Sequence, residues 1–150
     1  MRLVGERATE AAGARLAAAL GPGDLVLLDG ELGAGKTTLV RGLAAALGIA
    51  AGEVRSPTFV LHHAHTGRDL RLHHLDAWRL GAGAALPDDV DLEGMLDDGA
   101  VVIEWGGLVE LPGVPALHLR LEAPDPEHRL LTVVGAGEPR LLAALSGGDR

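Results

Sequence analysis

Gly30–Glu31–Leu32–Gly33–Ala34–Gly35–Lys36–Thr37–Thr38 is the stretch on which the fold turns. Two glycines five positions apart, then lysine, then a hydroxyl residue, form a phosphate-binding loop. The glycines let backbone N–H groups turn inward and approach phosphate oxygens closely. The following helix would point its N-terminus at the same place and add partial positive charge. Lys36 has the reach to bridge terminal phosphates, and the Thr37 hydroxyl can ligate Mg²⁺. The expected nucleotide contacts are Glu31, Leu32, Gly33, Ala34, Gly35, Lys36, Thr37 and Thr38. Lys36 is the sole lysine among 13 basic residues. A compact ammonium has been kept where the wide guanidinium fork is no substitute.

The context on either side fits this reading. Leu25–Val26–Leu27–Leu28 is apolar without alternation, which predicts a parallel strand over 24–29 covered on both faces. The run after the loop predicts a helix over 36–47, stopped by Gly48. Further out, Thr9 is positioned to cap a helix ending near Leu20, before Gly21 and Pro22. Residues 59–65 and 70–74 read as an antiparallel hairpin around Thr66, Gly67, Arg68 and Asp69. Residues 81–98 read as loop, with a short helix over 92–96. Ala100–Val101–Val102–Ile103 is a second fully apolar strand. A second hairpin is expected from 116–122 and 130–134 around Asp125 and Pro126. Pro139 can start a last helix, and the tail from about 147 is expected to be disordered. The expected fold is α/β: a single domain over 1–150 of the P-loop NTPase type, a three-layer sandwich with a mixed sheet.

An enzyme of this type needs an acid at the end of a neighbouring strand to hold Mg²⁺ or its water. Two acids qualify, Glu104 after Val101–Val102–Ile103 and Asp76 after the extended run ending at Leu75. Trp105 follows Glu104 directly, which places it at the nucleotide site or over a partner surface. Thr9 is a candidate for a contact near the base. His62 and His73 would face each other if the first hairpin is symmetric. With no HExxH spacing and no cysteine, strand histidines are the better reading than a metal centre.

Composition sets outer bounds. The chain has 150 residues, 47% of them hydrophobic and 2% aromatic, so its core must rest on Leu, Val and Ala. It has no cysteine, which excludes disulfides and suits a reducing cytoplasm. No apolar run of about 18 residues is present and no signal peptide is visible, so no membrane role is expected. A net charge of −8 argues against holding nucleic acid unaided.

With these blocks in place, the chain resembles the TsaE (YjeE-type) family of small bacterial ATPases in tRNA threonylcarbamoyladenosine biosynthesis. The likeness begins with the helix at Thr9 and passes through the loop from Gly30 to Thr38. It then takes in Ser56–Pro57–Thr58–Phe59, His74–Leu75–Asp76–Ala77–Trp78–Arg79–Leu80 and Glu104–Trp105. It is loose after about Gly107. The family usually has Asp where Glu31 stands and Tyr where Trp78 stands. The resemblance implies ATP and Mg²⁺ as ligands, with Lys36 and Thr37 on phosphate and metal. It also implies Glu104 as a Mg²⁺ ligand, Asp76 in catalysis, and Ser56 and Thr58 in a switch segment near the γ-phosphate. It implies partnership with the TsaB and TsaD subunits of the threonylcarbamoyl transferase complex, and tRNA contact only through them. The alternative is a small-molecule P-loop kinase, for which Arg68, Arg71 and Arg79 would have to close as a lid.

Overall fold

The computed structural model describes residues 1–55, 61–111, 113–135 and 138–147. Its centre is a seven-stranded mixed sheet in the order β1-β9-β8-β2-β6-β4-β3. The two apolar runs form its middle, β2 (Leu25–Asp29) and β6 (Ala100–Glu104), paired in parallel. β4 (Arg71–Asp76) and β8 (Leu117–Glu122) flank them, also parallel. Strands buried on both faces need no alternation of polar and apolar residues, and β6 has none: all five of its residues are buried. The edges are antiparallel. β3 (His62–Thr66) pairs with β4, β9 (His128–Val133) with β8, and β1 (Arg2–Val4) with β9.

One face of the sheet carries α1 (Gly5–Ala19), α2 (Lys36–Ala46) and α4 (Pro139–Ser146). Leu16, Leu39, Leu43 and Leu141 from these helices pack on Val26, Leu28, Val102, Leu117 and Leu119. The other face is covered by shorter pieces, among them α3 (Leu92–Asp98) and a two-stranded ribbon, β5 (Ala84–Ala85) with β7 (Val109–Glu110). There Leu92 and Val109 meet Leu25, Leu27, Leu75, Val101 and Ile103. This is the expected three-layer α/β arrangement with a mixed sheet, of the P-loop NTPase type, though its second outer layer is thin. Among the described residues no helix is long and apolar enough to cross a membrane.

α1 and α2 touch backbone to backbone. A Cβ on Gly13 would collide with the Leu39 carbonyl, and one on Gly42 with the Glu10 carbonyl. Two glycines thus remove the side chains that would hold the helices apart. That contact brings the start of α1 alongside the start of α2.

Several expectations are corrected. α1 begins four residues before Thr9, which lies inside the helix, 2% exposed, and caps nothing. The helix runs straight on from β1, and the Gly5 N–H is satisfied by the Glu127 carbonyl at 2.7 Å. A tertiary acceptor does the work of a capping side chain. β3 begins at His62, one residue after the described stretch resumes at Leu61, and Phe59 lies outside the described residues. The second hairpin resumes at His128, two residues before its expected start. In the first hairpin His62 sits opposite Leu75, and Ala64 opposite His73. His62 and His73 still meet, but diagonally, with rings stacked at 5.1 Å.

Candidate active site

Asp29 ends β2, the glycine loop follows, and Lys36 opens α2. Gly30 has φ 149°, and a Cβ there would collide with the Leu121 carbonyl of β8. No other residue fits that turn. Parallel register sets the acids beside the loop. Leu28, Glu104 and Asp76 form one row across β2, β6 and β4, so both carboxylates stand side by side at the strand ends. Ligand sites in open α/β sheets lie at this carboxyl edge.

Lys36 is 6% exposed. Its ammonium donates to the Gly30 carbonyl at 2.5 Å and the Glu31 carbonyl at 3.1 Å. The Trp105 ring lies over it, 4.2 Å from Nζ to the ring centroid. Burial lowers its pKa from the ordinary lysine value, while Glu104, Asp76, Asp29 and Glu31 pull the other way. The Thr37 hydroxyl donates to Glu104 Oε1 at 2.9 Å. Glu104 Oε2 accepts from His74 Nε2 at 2.6 Å, and both side chains are buried. Asp76 Oδ1 accepts the Trp78 N–H at 2.9 Å. Trp105 is held at φ 59°, a left-handed conformation uncommon for a bulky residue. Its N–H bonds Leu28 O at 2.7 Å, and its ring meets Trp78 at 4.7 Å.

A cleft of about 500 Å³ opens over these groups. Of the residues expected at the site, Thr9, Leu32, Gly33, Gly35, Lys36, Thr37, Thr38, Asp76, Glu104 and Trp105 line it. Glu31 and Ala34 do not. They line a neighbouring cleft formed by the loop, and the Glu31 atom that accepts from Lys36 is its carbonyl oxygen. Ser56 and Thr58 lie outside the described residues. Thr37 and Glu104 offer two adjacent oxygens, with Asp76 next in the row. That set suits Mg²⁺, which takes one or two protein oxygens and fills its octahedron with phosphate and water. No group of three or more acidic or histidine side chains is placed to cage a metal among the described residues.

The sequence reading missed the cleft's other wall. Gly5, Glu6, Pro126, Glu127 and Arg129 line it, brought there by the β1–α1 junction and the β8–β9 turn. No local pattern ties these positions to the loop; only the pairing of β9 with β8 and β1 does. Asp29 is a second omission. It accepts the Gly107 N–H at 3.0 Å and pairs with His118, tying the segment after Trp105 to the strand that enters the loop.

The family model for the threonylcarbamoyl adenosine biosynthesis protein TsaE matches residues 3–131. The chain belongs to the TsaE family. It is 47% identical over 133 residues to the tRNA threonylcarbamoyladenosine biosynthesis protein TsaE of Streptomyces coelicolor, covering 84% of this chain and 89% of that one. It is 34% identical over 153 residues to the protein of the same name from Bacillus subtilis, covering 99% and 94%. The crystal structure of Bacillus YdiB superimposes with a TM-score of 0.77 at 29% identity, covering 100% of this chain and 95% of that one. Membership ties the chain to tRNA threonylcarbamoyladenosine biosynthesis. The TsaE match runs past Gly107 through β8 and into β9.

Proposed function

We propose that this chain binds and hydrolyses ATP with Mg²⁺ as the cytoplasmic ATPase of the threonylcarbamoyladenosine machinery, acting as one P-loop domain with the TsaB–TsaD complex. The observation that carries this reading is the Thr37–Glu104 hydrogen bond of 2.9 Å, with Asp76 beside Glu104 and Lys36 adjoining Thr37. A loop hydroxyl and a strand-end carboxylate within reach of one cation are what metal-assisted phosphoryl chemistry requires.

Backbone N–H groups from Gly33 to Thr37 would cradle the phosphates. Lys36 would leave its loop carbonyls to neutralise terminal phosphate charge. Thr37 and Glu104 would hold Mg²⁺, which would supply Lewis-acid stabilisation of phosphate charge. His74 fixes the second oxygen of Glu104 and so aims the first. Asp76 would orient the attacking water. The kinase alternative loses two of its three lid arginines. Arg71 is paired with Asp98 at 3.2 Å at the opposite end of β4, and Arg68 bonds Ala46 O at the far end of α2, so neither is placed to close over the cleft; Arg79 alone follows a cleft-lining residue, Trp78.

The experiment is a screen of phosphate release against phosphoryl transfer to small acceptors, with and without the purified TsaB–TsaD pair. Phosphate release from ATP is expected. Transfer to an acceptor without release would overturn the reading.

A further inference from the structure

The cations lining the cleft, among the described residues, are Lys36 and Arg129. They stand on opposite sides of the loop. The acids Glu104 and Asp76 end β6 and β4 on one side of β2, whereas Arg129 comes from β9, two strands away on the other side. The end of the cleft holding Thr37, Glu104 and Asp76 is the end for metal and terminal phosphate. The Arg129 end, walled by Thr9, Gly5 and the β8–β9 turn, is left for the nucleoside side.

Arg129 is half-buried, and its donors are unevenly used. Nη1 donates to three turn carbonyls: Asp125 at 3.0 Å, Pro126 at 3.2 Å and His128 at 2.8 Å. Nη2 reaches only the Gly33 carbonyl of the loop, at 3.4 Å. Nε lies along Gly35, 3.7 Å from where a Cβ would be, and has no acceptor among the described residues. The oversubscribed nitrogen anchors the guanidinium to the turn. The undersubscribed edge, Nε and Nη2, faces the loop. A side-on guanidinium edge is the shape that takes two oxygens of one phosphate.

We infer that Arg129 is a second phosphate-binding cation of this site, taking the phosphate nearest the nucleoside and leaving the terminal phosphate to Lys36. The inference rests on the ATP reading above. Because its partner phosphate is present in ADP and ATP alike, Arg129 contributes equally to both and acts on binding, not on the bond-breaking step.

The test is calorimetric titration of the full chain and of Arg129→Gln with Mg-ADP and Mg-ATP, together with steady-state hydrolysis. Arg129→Gln should weaken ADP and ATP by one common factor, about 10- to 100-fold, the scale of a lost charge-assisted contact. KM should rise and kcat should stay within about twofold. Arg129→Lys keeps the charge but not the fork, and its ADP and ATP affinities should fall between those of the parent and the glutamine variant while the chain stays folded at the assay temperature. That intermediate loss is the deciding result if Arg129→Gln does not fold. Unchanged ADP affinity in both variants would make Arg129 a turn anchor only and overturn the inference alone. A fall in kcat with ADP binding intact would place it on the terminal phosphate and also overturn it. No ADP binding by the parent would overturn the ATP reading itself.

Discussion

Lys36 is where one atom group decides most. Its ammonium rests between two loop carbonyls and an indole face, with carboxylates at Glu104 and Asp76 near it. Lys36→Ala should weaken nucleotide binding by about 1.5–3 kcal/mol, the value of a charge-assisted hydrogen bond. Calorimetry checks this, and unchanged ATP affinity would refute it. Glu104→Gln and Asp76→Asn keep shape and lose charge, so both should fold, bind nucleotide and lose hydrolysis. A variant that turns over at the parent rate with partners present would remove the role assigned to its residue. These residues were legible because each belongs to a local pattern: lysine and threonine in the loop motif, Glu104 at the end of an apolar run and Asp76 at the end of an extended one. Parallel register then set the two acids side by side. Arg129 and Asp29 were not legible, since their place beside the loop depends on β8 and β9. Thr9 was misread for a related reason: a threonine before an apolar run looks like a cap, but the three-residue β1 had already started the helix.

At the scale of elements, the α1–α2 contact sets the width of the cleft. Two opposing terms meet at Gly42. Alanine gains about 1 kcal/mol of helix propensity over glycine. Overpacking against a backbone costs about 1–3 kcal/mol, and here the obstacle is the Glu10 carbonyl, which cannot rotate away. The packing term should win, so Gly42→Ala should lower Tm despite its better helix propensity. A raised Tm would show that the helices part without cost. The β3–β4 hairpin carries a pH dependence. Burial, then the neighbouring His73, lowers the pKa of His62 below 6.5, and burial with His74 does the same for His65. The unfolded chain therefore binds more protons than the folded one just below pH 6.5, and stability is lost as pH falls through that value. Thermal melts between about pH 7.5 and 5.5 should show a falling Tm, less steep in His62→Gln. A flat profile would mean that neither histidine is neutral because of the fold. The hairpin was readable from its two extended runs and the turn around Gly67, whereas β5 and β7, two residues each, have no pattern long enough to read.

At the scale of the whole molecule, the acidic surface and the half-equipped cleft point outward. Among the described residues the cations lining the cleft are Lys36 and Arg129, and Arg129 is inferred above to take the nucleoside side. Terminal-phosphate charge would thus meet one ammonium and the bound metal. Phosphoryl transfer of this kind gains about 10³–10⁵-fold from an arginine delivered by a partner. Alone, the chain should hydrolyse ATP slowly. Its net charge of −8 also disfavours tRNA, because each phosphate contact needs a cation to displace counterions. Both shortfalls are met if the TsaB–TsaD pair carries the tRNA and completes or reshapes the ATP site. Leu32, at the tip of the loop and 80% exposed, and Trp78, 46% exposed beside Trp105, offer apolar surface at the mouth of the cleft where such a partner would seat. Hydrolysis would then reset the assembly between rounds and not drive the transfer itself. The measurement is ATPase rate and multiple-round tRNA modification, each with and without the purified pair. The expected outcome is hydrolysis raised by the pair, and modification that stalls after one round when this chain is omitted or carries Glu104→Gln. Full ATPase activity in isolation, with undiminished repeated modification in its absence, would sink the dependence in both directions.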